Sequence, residues 1–166
     1  MFRVGTMIKL GLVVTAAAVL AACSSTKEEA PAPVAQPQVS SIKPGSAEDF
    51  RVNVGDTIFF DLDSHSIRAD AQGVLQKQAA WLKQYPSARL SVEGHCDERG
   101  TREYNLALGD RRAYAVKEFL VSLGVDAARL QTKSYGKERP VCTESDDSCW
   151  QQNRRGNSVV AGGAGS

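Results

Sequence analysis

Between Asp56 and Gly136 the apolar residues switch repeatedly between a period of two and a period of 3.6. Each element built on such a pattern has one apolar side to bury. The chain is therefore confined to strands and helices packed as layers. "DTIFFDLD" (56–63) sets Ile58, Phe60 and Leu62 on one side of a strand and Phe59, Asp61 and Asp63 on the other. A helix is predicted from Asp70 to Tyr85, with Ala71, Val74, Leu75, Gln78, Ala79 and Leu82 as its inner stripe and Pro86 just beyond its end. "ARLSVEGH" (88–95) is a second strand. A second helix runs from Arg102 to Leu123, capped by Thr101 and ended by Gly124. "RLQTKSYG" (129–136) is a third strand. A polar loop and a short helical turn at Trp150–Asn153 follow, and "SVVA" (158–161) reads as a weak final strand. The expectation is an α/β sandwich in β-α-β-α-β order with a late strand, its mixed sheet packed on helices.

This pattern does not extend upstream of Phe50. "MFRVGTMIK" is basic, the run to Leu20 is apolar, and "LAAC" ends at Cys23. That layout is an export signal, and the apolar run is too short for a comfortable membrane span. Leu20-Ala21-Ala22-Cys23 resembles a bacterial lipobox, which implies cleavage before Cys23 and acylation on it. Residues 1–22 are therefore read as a lipoprotein signal peptide. Residues 23–50 are read as a lipidated N-terminus and disordered tether, because proline, alanine, serine and glutamine dominate there. The tether reaches about 90 Å when extended and roughly 30 Å when coiled. Residues 51–161 form the domain.

"EGHCDERGT" (93–101) concentrates chemistry-bearing residues directly after the second strand. A metal site is disfavoured: strand neighbours His95 and Cys96 face opposite ways, and the sequence has no CxxC or HExxH motif. Cys96 continues the apolar face and reads as a small buried thiol. Cys142 and Cys149 flank six polar-loop residues in an exported chain, which favours a disulfide over two free thiols. Asp61 with Asp63, or Glu93 with Asp97, could be imagined as an acid–base pair. Without GxSxG, a cysteine–histidine dyad or a phosphate loop, these carboxylates do not make an enzyme. Lys and Arg total 20 against 19 Asp and Glu, which gives no electrostatic case for nucleic acid.

A charged clamp is the remaining possibility. Seven helical residues turn about 700°, so Asn105, Arg112 and Phe119 nearly eclipse one another, with Leu108 and Val116 on the same stripe. Arg112 therefore points inward, whereas Arg111 belongs in solvent. An inward arginine needs a partner. Two remain open: an internal pair with Asp97, or a ligand with charges of both signs.

"FDLDSHSIR", "VEGHCDERGTREYNLALGDRRAYAVKEFL", "SYGKERP" and "NRR" closely resemble the OmpA-like peptidoglycan-binding family, in its lipoprotein branch belonging to the Tol-Pal system. The resemblance implies a non-enzymatic domain without cofactor that binds the diaminopimelate of the peptidoglycan stem peptide. Asp97 would take the diaminopimelate ammonium and Arg112 its carboxylate. It also implicates Asp63, Arg99, Asn105, Leu108 and Arg154, and it excludes His95 and Cys96 as ligands. It further implies TolB as a protein partner and, with Ser24 after the acylated cysteine, lipid anchoring in the outer membrane. A TolB adaptor without wall binding and a wall hydrolase are the competing readings. The 142–149 loop is expected to stand clear of the clamp, Arg102 replaces a proline common in relatives, and Gly156 and Asn157 weaken the final strand. Cys23→Ser is expected to release the domain as a soluble species, and the intact mass of the parent should show a cleaved, acylated Cys23. An unmodified cysteine would contradict this.

Overall fold

The computed structural model describes residues 42–162. The signal, Cys23 and most of the tether lie outside the described residues. The sequence boundary of the tether at residue 50 moves upstream. Ala47–Asp49 form a helical turn (α1) that continues as a π-helical turn over Phe50–Val54. Phe50 is fully buried and sits edge-on to Trp81, ring centres 4.8 Å apart. Asp49 accepts hydrogen bonds from Trp81 Nε1 (2.9 Å) and the Gly45 amide (2.9 Å). This segment is ordered because it buries an aromatic ring and satisfies the indole.

Strand β1 (Thr57–Phe59) leads to helix α2 (Ala69–Gln84), strand β2 (Leu90–His95) and helix α3 (Arg102–Ser122). Strand β3 (Leu130–Gly136), the short helix α4 (Asp147–Asn153) and strand β4 (Arg155–Val160) complete the domain. The expected inner stripe of α2 holds, with Ala71, Leu75, Ala79 and Leu82 buried in the core and Val74 partly buried against it. Gln78 is also buried. It donates to Gly55 O (2.8 Å) and accepts from Ser158 Oγ (3.0 Å), so a polar residue can occupy the stripe.

The mixed sheet has the order β1-β4-β2-β3, with β2 and β3 parallel and β4 antiparallel to both its neighbours. Two sequence expectations are corrected here. The final strand starts at Arg155, not Ser158, and includes Gly156 and Asn157. It lies between two strands, so both of its edges are hydrogen-bonded, and this outweighs weak intrinsic preference. Gly156 also fits closely: a Cβ there would lie 3.2 Å from both Phe60 and Val116. Second, Leu62 does not share the inner face of Ile58 and Phe60 but is 59 % exposed. Strand β1 stops at Phe59, and the chain then turns through Asp63, whose φ of 54° is the one positive value at a non-glycine among the described residues. Asp tolerates that region better than most side chains.

Helix α3 meets the sheet backbone to backbone. A Cβ on Gly94 would lie 1.8 Å from the Gly109 carbonyl oxygen, and one on Gly109 would lie 2.4 Å from Ser134 Oγ. Ser134 Oγ donates to Leu106 O at 2.6 Å, which ties β3 to the same stretch of helix. This approach brings Asn105, Leu108 and Arg112 against the end of β2. Gly94→Ala should destabilise the domain by on the order of 3 kcal/mol or prevent folding, since backbone cannot move aside as a side chain can. Urea unfolding measures this, and a midpoint equal to the parent's would contradict the close approach.

Candidate functional site

The "DERG" loop is shaped by its own side chains. Asp97 Oδ1 accepts from the Arg99 amide (3.2 Å), closing a turn. Gly100 has a φ of +86°, which redirects the chain into Thr101, whose hydroxyl caps α3 by accepting from the Tyr104 amide. Asn105 Nδ2 donates to Arg99 O (2.7 Å) and Thr101 O (3.1 Å). Lys137 Nζ donates to Glu98 O and Gly100 O, at 2.8 and 2.6 Å. A loop of consecutive charged residues is thereby fixed from α3 and from the segment after β3.

A cavity of about 150 Å³ opens beside this loop, lined by Leu62, Asp63, Cys96, Asp97, Arg99, Gly100, Tyr104, Asn105, Leu108, Arg112 and Arg154. All seven ligand residues expected from the sequence line this one space. Leu62 and Tyr104 also line it. The strand pattern sets Leu62 on one side with Ile58 and Phe60, and Tyr104 lies off the inward stripe of α3. The Tyr104 hydroxyl donates to Asp63, closing a contact between the β1–α2 turn and α3.

Arg112 does not pair with Asp97; its partners within the chain are backbone carbonyls. Arg112 is completely buried and is held by backbone carbonyls: Nε by Ser64 O (2.8 Å), Nη1 by His95 O (2.7 Å) and Nη2 by Asp61 O (3.0 Å). Phe60 lies beneath it, 5.2 Å from the guanidinium carbon to the ring centre. Burial lowers its pKa from the ordinary arginine value. Asp97 pairs instead with Arg99 (Oδ2 to Nη2, 2.6 Å) and Arg154 (Oδ2 to Nη1, 3.2 Å). Burial alone would raise the Asp97 pKa, but the hydrogen bonds from these two guanidiniums outweigh it, and the net shift is downward. Asp97 is thus a carboxylate at neutral pH. Arg154 is fixed further by Phe60 O (3.3 Å) and Gln151 Oε1 (2.6 Å).

His95 and Cys96 are both buried. The His95 pKa falls to about 4, chiefly because burial disfavours the imidazolium, with nearby Arg155 and Arg139 adding to the effect. Its ring stacks on Tyr135 at 5.4 Å, and His95 does not line the cavity. Cys96 Sγ donates to Asn105 O at 3.3 Å, and burial pushes its thiol pKa up, so it is no ready nucleophile. Among the described residues no group of three His, Cys, Asp or Glu side chains is placed to hold a metal ion.

Cys142 and Cys149 are bridged. The loop between them meets neither Asp97 nor Arg112, but it and the adjoining Trp150 brace the "DERG" segment beside the clamp. Ser145 Oγ (2.7 Å) and Trp150 Nε1 (3.0 Å) both donate to Glu98 Oε1, and the Trp150 ring lies under Arg99 at 4.0 Å. The sequence signal was available: Trp150 stands next to Cys149 and four residues before Arg154, on one turn of the predicted helix.

The OmpA family profile matches residues 59–154. The peptidoglycan-associated lipoprotein of Agrobacterium fabrum is 65 % identical over 125 residues, spanning 75 % of this chain and 70 % of that protein. The peptidoglycan-associated lipoprotein of Haemophilus influenzae is 40 % identical over 148 residues, spanning 89 % of this chain and 94 % of its own. Among solved structures, the crystal structure of the peptidoglycan-associated lipoprotein from Burkholderia pseudomallei superposes with a TM-score of 0.63 at 44 % identity, covering 64 % of this chain and 90 % of that one. The C-terminal domain of Helicobacter pylori MotB, at 23 % identity and a TM-score of 0.60, shares the fold. The three lipoproteins are named for association with peptidoglycan and not for a reaction, and their domain family is non-enzymatic. The chain belongs to the OmpA family, in its branch of cell-envelope peptidoglycan-associated lipoproteins.

Proposed function

We propose that this chain tethers the outer membrane to the cell wall, from the periplasmic face, by binding the diaminopimelate of peptidoglycan stem peptides non-covalently. Lipid on Cys23 holds one end, and the tether lets the folded domain reach the wall. The observation that carries the reading is the cavity beside the "DERG" loop, where Asp97 and Arg112 are buried at one opening. A diaminopimelate end carries an ammonium and a carboxylate on one carbon. Asp97 takes the ammonium. Arg112 uses three of its five N–H donors on carbonyls, which leaves two for the carboxylate. Asp63, Arg99, Asn105, Leu108 and Arg154 complete the lining. Three guanidiniums stand against two carboxylates in it, a balance that favours a ligand with more carboxylates than ammonium groups.

Within the Tol-Pal system this binding serves envelope integrity and outer-membrane constriction during division. TolB is the protein partner of the second reading. The exposed Leu62 and Tyr104 at the same opening favour an overlap of the two surfaces, so wall and TolB compete.

Arg112→Ala is a poor test by itself, because it strips three carbonyls of their donor. Each unpaired group costs about 1–3 kcal/mol, so the domain itself should weaken. Asp97→Asn removes a charge with little change of shape. It should weaken binding of soluble diaminopimelate stem peptide by roughly ten- to a hundredfold, the loss of one charge-assisted hydrogen bond. Arg111→Ala should leave binding near the parent's. Stem peptide with lysine in place of diaminopimelate lacks the second carboxylate and should bind weakly. Calorimetric titration reads all three. Equal affinity for the two peptides, or for Asp97→Asn and the parent, refutes the reading.

A further inference from the structure

Asp97 has no room left for a ligand. A carboxylate offers about four acceptor positions. Oδ1 takes the Arg99 amide and Arg99 Nε, both at 3.2 Å. Oδ2 takes Arg99 Nη2 at 2.6 Å and Arg154 Nη1 at 3.2 Å. An incoming ammonium must therefore displace one guanidinium. Arg154 is ill suited to leave: its side chain is 10 % exposed and is tied to Phe60 O and Gln151 as well. The Arg99 side chain is 35 % exposed; apart from Asp97 it lies on the Trp150 ring and in the field of the Asp147 and Glu98 carboxylates.

That ring is firmly held. Trp150 Nε1 is fixed on Glu98. Helix α4 is capped by Asp146, which accepts from the Cys149 amide at 2.9 Å, and is clipped to the preceding loop by the Cys142–Cys149 bridge. Asn153 adds three hydrogen bonds to Val141 and Cys142.

From this we infer that Arg99 is a displaceable counter-ion for Asp97, and that Trp150, on its disulfide-clipped helix, is the positioning residue that makes the displacement affordable. Arg99 occupies Asp97 while the cavity is free. When a ligand ammonium arrives, the Arg99 Nε and Nη2 bonds to Asp97 are exchanged for bonds from the ligand. The guanidinium stays on the indole face, so it keeps one favourable contact throughout and its freed N–H groups turn to the ligand's carboxylates. Without the indole, Arg99 would give up its partner with only solvent-screened attraction to Asp147 and Glu98 to hold it. This inference rests on the wall-ligand reading of the cavity and adds a residue to it.

The test titrates the full chain with soluble diaminopimelate stem peptide while following indole emission. Trp150→Leu should weaken binding roughly two- to fivefold, the size of an exposed cation–π contact, and Trp150→Phe should restore most of it. The Cys142→Ser/Cys149→Ser double variant should weaken binding to a similar degree. In an Arg99→Ala background, Trp150→Leu should have no further effect, since it acts through Arg99. Emission of the parent should change on saturation. The change should vanish in Trp150→Phe, where Trp81 is the remaining indole. The inference is overturned if the parent binds and Trp150→Leu binds equally well. It is also overturned if Phe fails to rescue, if Trp150→Leu weakens the Arg99→Ala protein as much as the parent, or if the emission change survives in Trp150→Phe. A parent that does not bind the peptide overturns the wall-ligand reading, and this inference with it.

Discussion

The guanidinium of Arg112 joins three parts of the chain at one point. Its carbonyl partners come from the turn after β1 (Asp61 and Ser64) and from the end of β2 (His95), while its own backbone belongs to α3. A charge in this position loses its hydration, which is why its pKa is depressed. Hydrogen bonds donated to fixed backbone carbonyls replace that water. The arrangement is possible because Gly94 and Gly109 let α3 approach β2 at backbone distance. With a side chain at either glycine the helix stands off, and the guanidinium no longer spans to His95 O. The cavity therefore depends on two missing side chains as much as on the charged ones that line it.

Much of this was readable in the sequence. Helical periodicity put Arg112 and Asn105 on the buried stripe of α3, and both are buried. What periodicity could not supply is the partner. A buried cation implies an acceptor, and carboxylates are the acceptors a sequence displays; backbone carbonyls are present at every residue and so carry no signal. The same limit applies to β4. Gly156 and Asn157 are poor strand formers judged alone, and only the slot between β1 and β2 explains their place in the ladder. Leu62 was misplaced because alternation was extended past Phe59, where strand β1 ends.

Residues 42–54 and the disulfide loop share a different cause. Both are polar or proline-bearing stretches whose composition suggests no packing. Each is nonetheless anchored by one tryptophan: Trp81 receives Phe50 and Asp49, and Trp150 receives Arg99 and Glu98. A large ring with a single polar edge can order a neighbouring segment that has no periodic apolar pattern of its own. Arg99 in the cavity lining thus rests on a helix whose sequence signature is a cysteine pair.

The position of β4 has a consequence for how the domain assembles. Strands β1 and β2 are not hydrogen-bonded to each other. Each meets β4, and Thr57 pairs with Asn157 across a hundred residues of chain. As the polypeptide emerges from synthesis or from a secretion channel, β2, α3 and β3 are near in sequence and can collapse early. β1 must wait, without a hydrogen-bonded neighbour, until residues 155–160 arrive. Closing so long a loop is slow relative to local contacts. Arg154 directly precedes that strand, and Phe60, whose carbonyl it binds, directly follows β1. The cavity is therefore completed in the same late event that closes the sheet.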